Sequence, residues 1–339
     1  MTGVAGWDIG GVNLKSARVA AGTVHEALSL PFEIQREPRG LTPALTELAG
    51  RLGIRASDPH AVTMTAELSQ LFRTKREGVS FVLDAVAAAF PERLVRVYTV
   101  SGRFLTIAAA RREPLDVAAA NWAATARLVA RTHPDAILID VGSTSTDIIP
   151  IVAGDLAAIG RTDPERLRTG ELVYTGALRT PAEAIASTVC LDGAPTGVSA
   201  EGFALSGDVH LWLGALAPED YTVPSPDGRP ATRAFAGERL ARVVCADRET
   251  LDDAAITAIA ESLAEAQVAR IAGRVEAIRR RLPDLGLAVV GGLGDFLAAA
   301  AARRAGLQVI SLAATLGARG ARIAPAAAVA LLLAQTLDT

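Results

Sequence analysis

The stretch WDIGGVNLKSARV (residues 7–19) decides the predicted fold, because it joins two strands through a tight turn and carries charge beside that turn. An apolar strand ends at Asp8, the pair Gly10–Gly11 forms the turn, and Asn13 and Lys15 follow on the next strand. Glycines free backbone N–H groups to face an anion, and a lysine ammonium is a point charge suited to phosphate. The stretch therefore predicts a phosphate-binding turn between two strands.

A second stretch, ILIDVGSTSTDIIP (residues 137–150), repeats this arrangement. Its apolar strand ends at Asp140, a glycine and three hydroxyl residues form the turn, and the next strand carries Asp147. We expect the backbone N–H groups and the hydroxyls of this turn to bind phosphate as well. The predicted phosphate-binding residues of this turn are Gly142, Ser143, Thr144 and Ser145.

A third glycine-rich turn lies in LAVVGGLGDF (residues 287–296), after a buried strand and at the start of a helix. Backbone donors at a helix N-terminus favour an anion or a ribose, so Gly291 and Gly292 are predicted ligand-binding residues. The alternative is a tight strand–helix junction with no ligand. A dinucleotide-binding fingerprint is disfavoured, since that motif belongs to a first strand–helix unit.

Length and composition indicate a globular enzyme of two domains. A chain of 339 residues exceeds the size at which a single core stops growing. Its composition, 50% hydrophobic and 21% charged, is ordinary for a protein with a large buried core. A net charge of −3 gives no basic surface for nucleic acid. Cys190 and Cys245 are expected to be unpaired thiols in a reducing compartment.

The sequence predicts no targeting or membrane segment. No Lys or Arg precedes the first apolar stretch, which ends at Asp8, whereas a signal peptide begins with positive charge. The apolar run 326–333 is too short to cross a bilayer and predicts a buried terminal helix. We therefore expect a cytoplasmic protein with no membrane partner.

The order of predicted elements occurs twice along the chain. The first half begins with three predicted strands, at 4–9, 13–20 and 23–31, and continues with alternating helices and strands that close with a helix near 115–131. The second half restarts this order near residue 136. The repetition predicts an α/β fold of two ribonuclease-H-like lobes, 1–131 and 132–339, around a central cleft. An insertion at about 161–247, rich in Gly, Pro and short strands, interrupts the second lobe, and a long helix is predicted over 251–281.

The two carboxylates that end the first strand of each half predict a metal site. Facing lobes would bring Asp8 and Asp140 to opposite sides of one cleft. Two carboxylates repel phosphate unless a cation lies between them, so the pair predicts magnesium with several bound waters. Zinc is not expected, because no two histidines have the spacing of metal ligands.

Six further stretches carry a resemblance to a known family. They are VTMTAELSQLFRTKREGV (62–79), AAANWAATA (118–126), GELVYTGALRTP (170–181), SGDVHLWLG (206–214), PDGRPATR (226–233) and ERLARVVCAD (238–247). With the three turns, the chain resembles the superfamily of actin, sugar kinases and Hsp70 chaperones, and within it the hydantoinase/oxoprolinase branch. The six stretches are similar to those of tetrahydromethanopterin-linked C1-pathway proteins of methanogens and methylotrophs. The resemblance covers nearly the whole chain.

The resemblance implies a transferase of methylofuran biosynthesis. Such an enzyme joins the phenol oxygen of a tyramine derivative, such as γ-glutamyltyramine, to an aminomethyl-furan methyl diphosphate and releases diphosphate. The implied catalytic residues are Asp8, Lys15, Asp140 and Asp147, of which Asp8 and Asp140 would bind the metal. Asp147 is the first candidate for the general base that takes the phenol proton, followed by three implied substrate-binding residues. These residues are Glu67, Lys75 and His210.

Structural roles are the alternatives for two of these residues. His210 lies in an apolar, strand-like stretch, so a core histidine is as consistent with the sequence as a substrate contact. Lys75 lies in a short basic cluster with Arg73 and Arg76, which is also typical of a solvated helix start.

Two other functions are consistent with the same three turns. One is an ATP-dependent small-molecule kinase or amidohydrolase, which would convert ATP to ADP. The other is a non-catalytic nucleotide-binding scaffold, which would bind nucleotide without turnover. In each case the expected partners are small molecules rather than nucleic acid or membranes. Whether the chain forms a homo-oligomer is left open.

Overall fold

The computed structural model describes residues 3–91 and 93–337, and its elements are numbered here in chain order. The strands of the first sheet are β1 (Val4–Ile9), β2 (Asn13–Ala20), β3 (Thr23–Pro31), β4 (His60–Met64), β5 (Val95–Tyr98) and β6 (Phe104–Leu105). The second sheet contains β7 (Ala136–Val141), β8 (Thr146–Val152), β9 (Asp155–Leu156) and β10 (Leu172–Val173). A separate hairpin consists of β11 (Thr188–Leu191) and β12 (Ala194–Gly197), and the strands β13 (Leu287–Gly291) and β14 (Gln308–Ser311) complete the second sheet.

The helices are distributed along the whole chain. In the first part they are α1 (Leu41–Arg51), α2 (Lys75–Ala89), α3 (Ile107–Arg112), α4 (Pro114–Val117) and α5 (Asn121–Ala130). They continue with α6 (Asp163–Thr169), α7 (Ala182–Ile185), α8 (Ser206–Trp212), α9 (Arg233–Arg242) and α10 (Asp253–Arg281). The last three are α11 (Asp295–Arg304), α12 (Ala313–Arg322) and α13 (Ala324–Leu337). The long helix predicted over 251–281 is α10, which begins where the Asp252 side chain accepts the Ala255 N–H at 2.9 Å.

Two compact units make up the structure. The first contains Met1–Leu138, Ile149–Glu165 and Ser311–Thr339, and the second contains Ile139–Ile148 and Arg166–Ile310. This grouping differs from the predicted lobes 1–131 and 132–339, because it also assigns 132–138, Ile149–Glu165 and Ser311–Thr339 to the first unit. The predicted lobes and the cleft between them stay a prediction.

The first sheet has the strand order β3-β2-β1-β4-β5-β6. Strands β1, β2 and β3 are antiparallel neighbours, whereas β4 pairs parallel with β1 and β5 pairs parallel with β4. Three antiparallel strands followed by two parallel ones match the predicted order of a ribonuclease-H-like sheet. The carboxyl ends of β1 and β4 consequently meet at one edge, which is where open α/β sheets bind ligands.

Both faces of the first sheet are covered by helices. On one face Trp7, Ile9 and Leu14 pack in a core with apolar side chains of α1 and α2. On the other face α13 packs on β1 at Gly6, whose absent side chain leaves room for the helix backbone. A Cβ atom on Gly6 would lie 1.9 Å from the Ala326 carbonyl oxygen.

We expect the substitution Gly6→Ala to lower the free energy of unfolding by about 3 kcal/mol, the upper end of the usual cost of overpacking. The added methyl group would have to push α13 away from β1, because its nearest neighbour is backbone that no side-chain rotation can move. Urea unfolding followed by circular dichroism would measure the loss. The control is Gly50→Ala in α1, where an added Cβ meets nothing within 4 Å and Ala favours the helix. A Gly6→Ala variant as stable as this control would contradict the packing.

The second sheet repeats the order of the first. Its strands run β10-β8-β7-β13-β14, with β9 also paired to β8. Here β7 and β8 take the places of β1 and β2, and β13 and β14 take those of β4 and β5. The predicted duplication of a strand order within an α/β fold is therefore confirmed.

Several predicted elements differ from the structure. The helix expected over 115–131 is broken into α4 and α5, because Ala119 adopts a φ of +48°, which no helix accommodates. The predicted insertion 161–247 contains four helices, α6 to α9, besides its short strands. The segment 313–322, for which the sequence predicted no element, forms α12 with a kink at Gly317 (φ +69°).

The structure bears on the two cysteines and on membrane-spanning helices. Cys190 and Cys245 are exposed free thiols, as predicted. Within residues 3–91 and 93–337, no helix combines the length and the apolarity that crossing a membrane requires.

Candidate functional site

Asp8, Lys15 and Thr63 lie side by side on the first sheet. Asp8 of β1 is paired with Lys15 of β2 and with Thr63 of β4, and paired residues of neighbouring strands point to the same face. Lys15 Nζ lies 3.6 Å from Asp8 Oδ2. The Asp8 side chain is nearly buried, and that of Lys15 keeps 25% of its surface exposed. Asn13 joins this face because it precedes Lys15 by two residues on the same strand.

The turn at Gly10–Gly11 closes beside these side chains. The Gly10 N–H donates to the Asn13 carbonyl oxygen at 3.0 Å, which forms the predicted tight turn between β1 and β2. A Cβ atom on Gly11 would meet nothing within 4 Å, so space remains above the turn. The structure therefore brings together the predicted residues of the first turn, while phosphate binding there stays a prediction.

Two buried polar atoms next to Asp8 have no hydrogen bond. They are Asn13 Oδ1 and Thr63 Oγ1, for which residues 3–91 and 93–337 supply no partner. Because buried polar groups in native proteins are nearly always satisfied, such atoms indicate a place for water, an ion or a ligand. Amide, hydroxyl and carboxylate oxygens are also the ligands that magnesium prefers. The residues present thus fit the magnesium ion that the sequence predicts.

Within residues 3–91 and 93–337, the side chains do not form a closed cage of ligands for that metal. In the part of the chain that the structure describes, no three His, Cys, Asp or Glu side chains form a group that could hold a metal ion. Magnesium commonly binds through one or two carboxylates and keeps several waters, so this arrangement is compatible with it.

The second turn is held from below by the segment 175–178. Within the turn, the Gly142 N–H donates to the Ser145 carbonyl oxygen at 2.9 Å. The Ala177 N–H donates to the Gly142 carbonyl at 2.9 Å, and the Leu178 N–H donates to the Ser143 carbonyl at 3.0 Å. These bonds fix the turn's backbone and leave the hydroxyls of Ser143, Thr144 and Ser145 partly exposed.

Asp140 and the third glycine-rich turn lie against one another. Gly292 has a φ of +87°, and a Cβ atom there would lie 2.4 Å from Asp140 Oδ1 and 2.3 Å from the Val141 carbonyl oxygen. Gly291 ends β13 directly before it. The Gly294 N–H donates to the Val141 carbonyl oxygen at 2.8 Å. The structure therefore brings two of the three predicted turns together. Close packing at the strand–helix junction accounts for part of the need for glycine at Gly292.

Gly176 lies directly beneath the second turn, where a Cβ atom would be 2.5 Å from the Thr144 nitrogen. We expect Gly176→Ala to cost about 1–3 kcal/mol of stability, because the methyl group would overlap backbone that hydrogen bonds hold in place. Differential scanning calorimetry would show the loss as a lower Tm. In the control, Gly142→Ala, the new Cβ has only the Ser145 carbonyl oxygen at 3.5 Å, an ordinary contact. Equal destabilisation of the two variants would show that the segment does not support the turn.

Asp147, the first candidate for the general base, is bound by an arginine. Arg166 of α6 is buried and forms an ion pair with the Asp147 carboxylate, while the same nitrogen donates to the Glu171 carbonyl oxygen at 3.2 Å. The charge-assisted hydrogen bond to a buried guanidinium fixes the carboxylate in place and occupies one of its oxygens. The geometry thus favours a structural role for Asp147, and its catalytic role stays a prediction.

His210 lies on α8, so the strand-like conformation expected for its segment is wrong. The helix forms there because the Asp208 carboxylate accepts the Leu205 N–H at 2.9 Å and satisfies the helix start. The His210 ring is buried and shares a 2.9 Å hydrogen bond with Gln267, whose amide donates to the Gly176 carbonyl oxygen at 2.8 Å. Burial lowers the pKa of His210 to about 4, so the ring is neutral near pH 7. His210 supports the backbone beneath the second turn, and its contact with substrate stays a prediction.

Glu67 and Lys75 lie near the carboxyl end of β4. Glu67 follows β4 in a short 3-10 turn and is buried. Lys75 is the first residue of α2, and its Nζ donates to Asp163 Oδ2 at 2.8 Å. The lysine is half-buried rather than fully solvated. Both residues stay predicted substrate contacts.

The sequence did not reveal a buried charge network in the second unit. Arg239 of α9 donates to Asp208 Oδ1 at 2.8 Å and to Asp227 Oδ1 at 3.0 Å, and the Tyr221 hydroxyl donates to Asp208 Oδ1 at 3.2 Å. Three of the family-like stretches, SGDVH, PDGRP and ERLAR, supply these charges. Their resemblance to a family was the only sequence signal for this network, because the stretches are far apart along the chain.

Comparison with known proteins agrees with this architecture. The hydantoinase/oxoprolinase family model matches residues 58–336. The chain is 37% identical over 336 residues to (4-{4-[2-(γ-L-glutamylamino)ethyl]phenoxymethyl}furan-2-yl)methanamine synthase of Methanocaldococcus jannaschii, covering 99% of this chain and 98% of that protein.

Two solved structures share the fold at low identity. An acetone carboxylase, solved free of nucleotide, aligns with a TM-score of 0.58 and 12% identity, covering 96% of this chain and 70% of that one. A ROK-family glucokinase from Streptomyces griseus, solved with glucose and AMPPNP, aligns with a TM-score of 0.50 and 15% identity, covering 98% and 99%. The fold is therefore the α/β fold of actin and the sugar kinases, and the chain belongs to the hydantoinase/oxoprolinase family.

Proposed function

We propose that this protein is a transferase of methylofuran biosynthesis, which joins the phenol oxygen of γ-glutamyltyramine to an aminomethyl-furan methyl diphosphate. The observation that carries the proposal is the 37% identity to the Methanocaldococcus jannaschii synthase over 99% of the chain. Identity at that level over nearly the full length of both chains is what a shared reaction would produce.

The product named for that relative defines the bond that is made. Its phenoxymethyl-furan group is an aryl ether, so a phenol oxygen must become bonded to the methylene carbon of the furan. In the proposed reaction that C–O bond forms while the carbon's bond to diphosphate breaks. The diphosphate leaves with the electron pair, and the phenol proton passes to a base. The furan ring stabilises positive charge on the methylene carbon, so neutralising the leaving group is the main task of the enzyme.

The residues at the first turn suit that task. Lys15 keeps a partly exposed ammonium group beside Asp8, and the backbone above Gly11 is open. A fixed cation and backbone donors stabilise negative charge that grows on a leaving oxygen. Magnesium, held through Asp8 and Asp140, would neutralise further charge on diphosphate. The hydroxyls and N–H groups of the second turn would bind diphosphate oxygens, and Gly291 and Gly292 would flank them.

The proposed partners and the proposed localisation follow from the substrates. The expected partners are small molecules in the cytoplasm, without nucleic acid or membrane. A net charge of −3 supports this assignment, since nucleic-acid surfaces attract basic proteins. Assembly into a homo-oligomer stays open.

The test is an assay without ATP. Purified protein, magnesium, the furan-methyl diphosphate and γ-glutamyltyramine should yield the ether by mass spectrometry, with one pyrophosphate released per ether. A parallel incubation with ATP and small acceptors tests the kinase or amidohydrolase alternative through ADP formation. Absence of the ether together with ADP formation would overturn the proposal, and nucleotide binding without any turnover would favour a scaffold.

A further inference from the structure

Glu67 is a buried carboxyl group without a satisfying contact. Its residue is 1% exposed, and among the described residues no hydrogen bond of good geometry reaches either Oε1 or Oε2. The backbone N–H groups of Glu67 itself and of Ala119, together with the charge of Lys75, favour the charged form, but burial outweighs them. An isolated buried carboxyl group is costly, so a protein that keeps one commonly uses it.

The backbone around Glu67 is built to hold it in place. Gly78 of α2 packs directly on it, since a Cβ atom there would lie 2.5 Å from the Glu67 carbonyl oxygen. On another side, Met64 of β4 forms a parallel bridge with Ala118, which brings the turn at Ala119 against the carboxyl group. Two of the family-like stretches, 62–79 and 118–126, therefore meet at this side chain.

The location of Glu67 is the ligand-binding edge of the first sheet. It follows β4 by three residues, and β4 lies beside β1, which carries Asp8 at the same carboxyl-terminal edge. The Thr65 N–H donates to the Ile9 carbonyl oxygen at 2.9 Å, which ties the segment after β4 to the end of β1. Glu67 is therefore joined through a short, fixed segment to the turn proposed to bind diphosphate.

The charges that face Glu67 leave it poised between its two forms. Burial raises the pKa of Glu67 to about 7, Lys75 opposes that rise, and Asp163 reinforces it. Lys75 and Asp163 are themselves paired at 2.8 Å, and they act on the pKa of Glu67 in opposite directions. A base with a pKa near the working pH is the most effective in general base catalysis.

We propose that Glu67 is the catalytic base that takes the proton of the phenol substrate. The inference rests on the proposed function and assigns one of its steps. As the phenol oxygen bonds to the furan methylene carbon, its O–H bond breaks and the proton passes to a Glu67 carboxylate oxygen, directly or through one water. Diphosphate leaves with the electrons of the broken C–O bond, and Glu67 later returns its proton to solvent. Asp147 is less suited to this step because buried Arg166 already occupies its carboxylate.

The test combines Glu67→Gln with phenols of graded acidity. A free phenol has a pKa of about 10, and fluorinated tyramine derivatives ionise at much lower pH. With γ-glutamyltyramine we expect Glu67→Gln to lower kcat at least about 100-fold, as removal of a general base does. For a fluorinated phenol that is already ionised, the loss should shrink to less than about 10-fold, since no proton remains to be taken.

The pH profile gives an independent readout. Wild-type kcat/KM should rise with pH through about 7, where Glu67 loses its proton, and this limb should disappear in Glu67→Gln. In Glu67→Asp, which keeps a carboxylate, kcat/KM should still rise with pH. The control is Glu77→Gln in the first turn of α2, an exposed residue whose side-chain carbonyl oxygen can still accept the Arg73 N–H.

Each outcome decides one question. A loss in Glu67→Gln that is equal for all phenols, or an unchanged pH profile, would overturn the assignment and indicate a structural role. Full activity of Glu67→Gln, with ether formed by wild type, would overturn it as well. If wild type forms no ether with any phenol, the proposed function itself fails. Thermal unfolding of each variant would separate lost folding from lost catalysis.

Discussion

Replacing Asp8 or Asp140 by Asn should lower turnover by at least about two orders of magnitude, the usual effect of removing a group that stabilises charge on a leaving oxygen. Each carboxylate is on the last residue but one of its strand, β1 or β7, and is mostly buried, with Asp8 4% and Asp140 8% exposed. In the proposed reaction each carboxylate holds the magnesium ion, so an amide in its place weakens magnesium binding. The measurement is pyrophosphate release at limiting and at saturating magnesium.

The matched control for these variants is Asp84→Asn on the exposed surface of α2, where turnover should stay at the wild-type level. Stability should change little in Asp8→Asn and Asp140→Asn, since an amide fills the same volume as a carboxylate. A higher magnesium requirement in both variants would support metal binding. Wild-type turnover in both variants at limiting magnesium would exclude these residues as metal ligands.

Lys15→Ala should lower kcat by about 100-fold and raise KM much less. Negative charge on the diphosphate oxygen grows as the furan-methyl C–O bond breaks, so the ammonium group interacts more strongly with the transition state than with bound substrate. For the same reason, the loss should shrink for an analogue with a better leaving group. Single-turnover pyrophosphate release, without ATP, would measure the chemical step.

Two comparisons test whether the charge of Lys15 causes the loss of rate. Lys15→Met keeps most of the apolar stem, so it should lose as much rate as Lys15→Ala if charge is the cause. A change in KM alone, with kcat intact, would mean that Lys15 only binds the substrate. A loss of rate that does not depend on the leaving group would mean that Lys15 does not interact with the departing diphosphate.

The elements with strong local signals were predicted well. Strands β1 to β3 match their predicted ranges, because apolar alternation and glycine turns mark both ends of each strand. The long helix α10 was also recognised from its periodicity. Errors occurred where tertiary contacts decide the conformation. The break at Ala119, for example, lies in an alanine-rich stretch whose local preference is helical, but the bridge from Met64 to Ala118 holds it open.

Within the candidate site, the sequence identified turns better than side-chain partners. Asp8 and Lys15 could be paired because both lie next to one hairpin turn, where register follows from short spacing. Asp147 could not be recognised as the partner of Arg166, nor His210 as the partner of Gln267, since these contacts join segments with no local pattern in common. The burial of Glu67 was equally hidden, because a polar side chain between Ala66 and Leu68 looks like part of any surface turn.

The contact of α13 with β1 has a consequence for protein synthesis. The strand β1 (Val4–Ile9) is translated long before α13 (Ala324–Leu337), the helix that covers it at Gly6. Until that helix emerges from the ribosome, the face of the nascent first sheet around Gly6 stays uncovered, and exposed apolar surface promotes aggregation and chaperone binding. A fragment cut after residue 131 would remain in that state permanently. Co-translational folding of the first unit can thus be completed only after translation of residues 324–337.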